Sequence, residues 1–389
     1  MHCPTENSLY DIMHEHAGTS LFVRPIFWTD QHLDLLNIRF EQLPPCDTPV
    51  PFGMVDWPPS QGHLRPSPAI RTLSDSLSEL LAPLSWQSVQ NSIPVKAVMS
   101  QLWPDAFQSS RMLPELDLHF GAKTYRAAVR APLMWDFPVL GTPRSPYTSH
   151  GTVTKPYPTS LPMICYIGKR QLASVRRNLF RISPGPKGII NHPVARLQKL
   201  RSKMLSPTNR DEDPHLAGMF LTMAQRHFLE SGETNTKPRF QDVKLRILMD
   251  DADKSAFVVY TATVTRKFLE RFHDPFSTPE GSSGGLGELP GMKIEYTDVP
   301  FWPILGLRER LGKALGQDIV GSFDPDAIET WVDEEPMEMN KSSKRKRGAL
   351  SEVVNASFEE DTEEETVDEP PLSGKKRCLN EGPPLGLVV

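Results

Sequence analysis

The chain has 389 residues, a formal net charge of −5 and 38 prolines. Proline at roughly twice its usual share, beside a slightly low apolar fraction, excludes a string of fully packed domains and points to one core with long excursions. Cys3, Cys46, Cys165 and Cys378 form no CxxC pair, which argues against a disulfide scaffold and a structural zinc centre, and no apolar run approaches the roughly 18 residues that a membrane span needs.

The start of the chain carries His2, Asp11, His14, Glu15 and His16 in place of a basic stretch followed by an apolar one. It is therefore read as no secretory signal, and residues 1–20 are expected to be poorly ordered. Leu21–Trp28 reads as a short strand weakened by Pro25, and Thr29 as the cap of a helix reaching Leu43, with Leu33, Leu36, Phe40 and Leu43 on one side. Eight prolines between Pro44 and Pro68 forbid a helix there. Arg71–Leu84 reads as a helix through Leu73, Leu77, Leu80 and Leu81, and Leu116–Arg130 as a hairpin turning at Gly121. Residues 132–162 hold seven more prolines and read as a second excursion.

Gln171–Arg181 and Pro193–Met204 are basic and helical in pattern. Asp211, Glu212 and Asp213 before Pro214 announce a helix whose apolar stripe is Leu216, Met219, Phe220 and Met223, followed by Gly232. Then comes the clearest signal of the chain. Val243, Leu245, Ile247 and Met249 alternate with Lys244, Arg246 and Asp250, which predicts a strand with one buried and one wetter face. A polar turn at Asp250–Ser255 leads into Ala256–Val264, which is uncharged on both faces and reads as an inner strand. Val264, Phe268, Leu269 and Phe272 give a helix stopped at Asp274-Pro275. A flexible loop at Ser277–Gly291, a strand at Met292–Val299, a helix at Ile304–Leu315 closed by Gly316, and a short helix opening at Asp324-Pro325 complete the pattern. The fold class is therefore α+β: an antiparallel sheet built on the 243–264 hairpin with helices packed on it. Its core spans residues 21–333 with proline-rich excursions at 44–68 and 132–162, and a disordered tail covers 334–389.

Charge is strongly segregated. Lys344, Arg345, Lys346 and Arg347 make a compact basic block suited to the acidic groove of a nuclear import receptor, with Lys375, Lys376 and Arg377 as a lesser one. Between them lies an acidic run from Glu359 to Glu369, where Ser357, Thr362 and Thr366 each precede an acid by three residues and suit acidophilic kinases. Inside the core, no Asp or Glu occurs from Phe137 to Arg210, whereas thirteen Lys or Arg do. Such a block suits a phosphodiester backbone, with Arg176, Arg177, Arg196, Lys199 and Lys203 as the contacts. The plainer alternative is that these cations meet acids elsewhere in the fold or neutralise the tail.

Catalytic patterns are fragmentary. Glu115 and Asp117 imitate the paired acids of nucleotidyltransferases without the upstream Gly-Ser turn, and Asp251-Ala-Asp253 imitates a metal-binding DxD but sits in a turn. Trp103-Pro104-Asp105 opens a nuclease-like motif that nothing completes. His215 and His227 are twelve apart, no Ser lies in a GxSxG elbow, and the Gly281–Gly291 loop has neither standard phosphate-cradle spacing. No catalytic, metal or cofactor residue is implied.

The stretch DEDPHLAGMFLTMAQ at Asp211–Gln225, followed by the YTA strand at Tyr260–Ala262 and the FLxxF helix at Phe268–Phe272, resembles a group of uncharacterised filamentous-fungal proteins over about residues 211–316. The resemblance implies a fungal source and the helix–strand–strand–helix order, and no activity. The function expected is that of a nuclear, non-enzymatic protein acting through a protein partner, with the cytoplasm as the alternative location. The competing expectations are a nucleic-acid-binding protein using segment 169–210, and a metal-dependent nuclease or nucleotidyltransferase-like enzyme. A membrane role is not expected.

Overall fold

The computed structural model describes residues 4–17, 22–46, 67–82, 92–137, 161–181, 191–229, 238–278 and 289–324. All belong to one compact unit that ends at Asp333. In chain order the elements are α1 (Leu9–Glu15), a 3-10 turn at Pro25–Phe27, α2 (Asp30–Leu36), β1 (Ile38–Gln42), α3 (Pro68–Leu81), α4 (Ser92–Leu102), α5 (Pro104–Phe107), β2 (Ser110–Met112), β3 (Glu115–Phe120), β4 (Lys123–Arg130) and β5 (Leu133–Asp136). They continue with β6 (Pro162–Gly168), α6 (Lys169–Asn178), α7 (His192–Met204), α8 (Pro214–Leu229), β7 (Val243–Asp251), β8 (Ala256–Val264), α9 (Arg266–His273), β9 (Met292–Pro300), α10 (Leu307–Leu315) and α11 (Gln317–Val320).

The architecture is α+β, and the β7–β8 hairpin lies at the middle of a seven-stranded sheet ordered β1-β9-β8-β7-β6-β5-β2. The sheet is mixed where a wholly antiparallel one was expected. β6 runs parallel to β7, and β1 parallel to β9. Both are pairings between strands far apart in sequence, which a hairpin pattern cannot announce. Strand β8 pairs with β7 and β9 on its two sides, with Tyr260 facing Ile247 and Tyr296. Val258, Tyr260, Ala262 and Val264 enter one core with α8, α9 and the separate β3–β4 ribbon. Phe257 and Val259 enter a second core with α3, α4, α5, α10 and α11. Alternation along β8 thus feeds two cores, and the sheet is a filling between two helical layers.

That second layer corrects the reading of β7. Arg246 and Asp250, expected on a wetter face, are both buried. Arg246 reaches out to Asp318 at 2.6 Å. Helix α8 is likewise buried all round from Pro214 to Gln225, with no single stripe. Gly218 permits this: a Cβ there would come within 2.3 Å of the Pro25 ring.

Other differences have local causes. Residues 4–17, expected to be poorly ordered, contain α1, capped by Ser8 and anchored by Leu9 and Ile12 in the core. Leu21–Trp28, expected as a strand, holds the 3-10 turn at Pro25. The helix from Thr29 stops at Asn37 in the left-handed region, seven residues early, and its expected remainder becomes β1. Helix α4 was not foreseen, although Val95, Val98, Met99 and Leu102 recur at helical spacing along its buried side; β5 lies inside the expected excursion at 132–162, and β6 begins at its last residue. The expected hairpin at Gly121 is present, with that glycine at φ +54°. Helices α9 and α10 fall where periodicity put them. Most of both proline-rich excursions, the short helix after Pro325 and the 334–389 tail lie outside the described residues. No helix among the described residues is long and apolar enough to cross a membrane.

Candidate functional site

Because β6 and β7 are parallel, their carboxyl ends open on the same side of the sheet, the side on which ligands settle in sheets of this kind. Strand β6 ends at Gly168 and turns directly into α6. A side chain at Gly168 would stand 3.0 Å from Asp250 Oδ1 and 3.4 Å from the Tyr166 hydroxyl. The room is taken by the buried hydrogen bond in which Tyr166 donates to Asp250 at 2.7 Å. Burial raises the pKa of both groups, with the Asp250 charge adding to the effect on Tyr166.

The next residue, Lys169, donates to Asp211 at 2.5 Å and to Asp251 at 2.6 Å. Partial burial disfavours its charge, but the two carboxylates outweigh that and hold its pKa above the ordinary lysine value. Lys254, in the β7–β8 turn, joins Asp211 and Asp298 at 3.1 and 2.9 Å. Arg170 meets Asp253 at 3.1 Å. Asp251 also accepts the backbone N–H of Asp253 at 3.0 Å. The DxD pair is therefore a charge-locked turn, and no group of three metal-capable side chains occurs among the described residues.

Two turns along α6, Arg176 makes a two-pronged bond to Asp213, with Nη2 at 2.7 Å from Oδ1. Both side chains are nearly out of solvent. Asp213 Oδ1 also accepts the N–H of His215 at 2.8 Å, so this carboxylate opens helix α8 and holds α6 against it.

Above these locked pairs lies a cleft of about 560 Å³, between α6, α7 and the end of β7. Leu172, Ala173 and Met249 contribute its apolar lining. Seven cations and three carboxylates line it. Lys169, Arg170 and Arg176 match Asp251, Asp253 and Asp213. Arg177, Lys199, Lys203 and Arg210 line the cleft and have no carboxylate partner among the described residues. The cleft thus presents four positive charges that no carboxylate among the described residues compensates, around an apolar patch, which suits a ligand carrying several negative charges.

Of the five residues proposed from sequence for nucleic-acid contact, four line this cleft: Arg176, Arg177, Lys199 and Lys203. Arg176 is spent on Asp213, so its place is in the wall. Arg196 is exposed on α7 and outside the cleft lining. Lys169, Arg170 and Arg210 also line it and were not singled out, although all three belong to the acid-free run. The acids at Asp211 and Asp213, placed where that run ends, were the available signal. The block Lys344–Arg347 lies outside the described residues. The catalytic fragments do not converge: Glu115 is bonded to Arg130 at 2.8 Å, Asp117 accepts the N–H of Ala127, and His227 bonds the Pro162 carbonyl.

His215 gives this region a pH dependence. Burial lowers its pKa from 6.5 to about 4, against the opposing pull of Asp213. The folded value lies below the unfolded one, so the unfolded chain binds the extra proton between them. The stabilisation is complete above about pH 6.5 and is lost as pH falls towards 4. His215→Gln, which retains a donor for the Pro25 carbonyl, is expected to reduce the loss of stability between pH 7 and 4.5 by about 2–3 kcal/mol in urea titrations. An unchanged pH profile would reject the assignment.

No protein-family model matches the chain, and the search of curated proteins returned no match.

Proposed function

We propose that this chain is a non-enzymatic nuclear protein whose basic cleft holds the phosphate backbone of nucleic acid. The observation that supports the reading is the grouping of Arg177, Lys199, Lys203 and Arg210 around one cleft with no carboxylate partner among the described residues. Here three neighbouring cations are paired in the wall, and the four that remain share one cleft. The basic block Lys344–Arg347 supports the nuclear placement, through an import receptor.

Four phosphate contacts on duplex DNA give log K a slope of about −3.6 against log salt, a loss of about a hundredfold in affinity between 50 and 200 mM salt. Fluorescence polarisation with a labelled duplex of mixed sequence measures this directly. Replacing both Lys199 and Lys203 by alanine is expected to bring the slope to about −1.8. Both residues are exposed, so the melting temperature is expected to stay the same. Binding that ignores salt, or a slope unmoved by the double substitution, would remove the reading.

A further inference from the structure

Helix α7 is the longest described helix with no buried residue. It rests on the molecule through a half-buried side made of Val194, Ala195, Gln198, Ser202 and Leu205. Facing away are Leu197, Leu200 and Met204, which are 47%, 60% and 75% exposed. Their spacing of three and four residues puts them in one stripe on the solvent side. Arg196, Lys199 and Lys203 run along one flank of that stripe, with Arg201 on the other, and the helix contains no acid.

Three apolar side chains at i, i+3 and i+7 form the anchor pattern by which an amphipathic helix enters a protein groove. The absence of any carboxylate from Phe137 to Arg210 says what rims that groove. A ring of carboxylates meets the cations without like-charge repulsion, and flexible methionine side chains accommodate leucine and methionine anchors alike. A groove of both kinds, acidic at the rim and methionine-rich inside, opens when an EF-hand sensor binds calcium. The geometry points to α7 as a docking helix for a calcium-loaded EF-hand sensor, held by Leu197, Leu200 and Met204 and oriented by Arg196, Lys199 and Lys203. Among the described residues only the outward face is left uncovered, so a single lobe grips it. The docking goes beyond the polyanion reading: it shares Lys199 and Lys203 with the cleft and adds Leu197, Leu200 and Met204, which do not line it.

The test uses the full chain and calmodulin as the probe, by calorimetry in calcium and in EGTA. Binding is expected in calcium, is expected to disappear in EGTA, and is expected to weaken about tenfold or more in L197D and in L200D. Both positions are exposed, so the circular dichroism spectrum is expected to stay as in the parent chain. Absence of calcium-dependent binding overturns the docking. So does binding that persists in EGTA, which would be charge alone, or binding that survives both substitutions. Phosphatidylserine vesicles that bind the parent chain but not L200D would assign the stripe to a membrane surface and overturn it equally.

Discussion

Replacing Asp213 by alanine is expected to cost about 3–5 kcal/mol of stability, because it leaves the Arg176 guanidinium buried with no counter-charge. Both side chains are about nine-tenths or more out of solvent, so water cannot take over the lost bonds. The same carboxylate accepts the first N–H of α8, and the cap is lost with it. On a scale where a whole domain is stable by about 5–15 kcal/mol, that is a large share. Urea unfolding followed by circular dichroism reads the change. Replacing Arg176 by methionine and Asp213 by leucine together is expected to recover most of it, since an apolar pair of similar volume leaves no charge stranded. A single substitution costing less than about 1 kcal/mol would show that the pair is reached by solvent after all.

The second large effect lies on the opposite side of the sheet. Trp135 on β5 is fully buried in the second core, its ring edge-on to Phe107 with centroids 5.4 Å apart. Alanine at this position is expected to cost about 3–5 kcal/mol, from lost burial and from the cavity that the surrounding core cannot fill. For a folded unit of about 240 residues the melting temperature falls by roughly 6–20 °C. Phenylalanine in its place is expected to restore a substantial part, because the indole N–H has no hydrogen-bond partner among the described residues to lose. An alanine variant as stable as the parent chain would mean that the second core is not packed as described.

Trp135 also shows why part of the fold was hard to read. Leu133–Asp136 is four residues long and sits beside Pro132, inside a stretch whose prolines dominate its local character. Strand β6 is buried at every position and so has no alternation to detect. Helix α4 buries Val95, Val98, Met99 and Leu102 along one side, while the exposed Ile93 and the half-buried Ala97 stand on the other and blur the stripe. By contrast, β8, α9 and α10 carry either unbroken apolar character or a clear stripe, and those elements were legible.

The candidate site divides in the same way. The acid-free basic run is a property of the chain alone, and it led to Arg176, Arg177, Arg196, Lys199 and Lys203 before any coordinates were considered. It could not say which of these are neutralised. The plainer alternative holds for three of them: Lys169, Arg170 and Arg176 meet acids across the fold, while Arg177, Lys199, Lys203 and Arg210 have no carboxylate partner among the described residues. Pairs such as Lys169 with Asp251 join residues 82 positions apart, and no local pattern carries that information.

By itself, then, the sequence determined the central hairpin, the helices with one apolar face, the α+β class and the segregation of charge. These depend on side-chain chemistry repeated at short range, where the period of a strand or helix decides which side avoids water. Only the tertiary structure decided that β6 lies parallel to β7, that Arg246 and Asp250 are buried, and that four cations are left around a cleft. Those outcomes depend on which distant segments meet, and the balance of burial against charge pairing at each meeting is settled only when the layers close on the sheet.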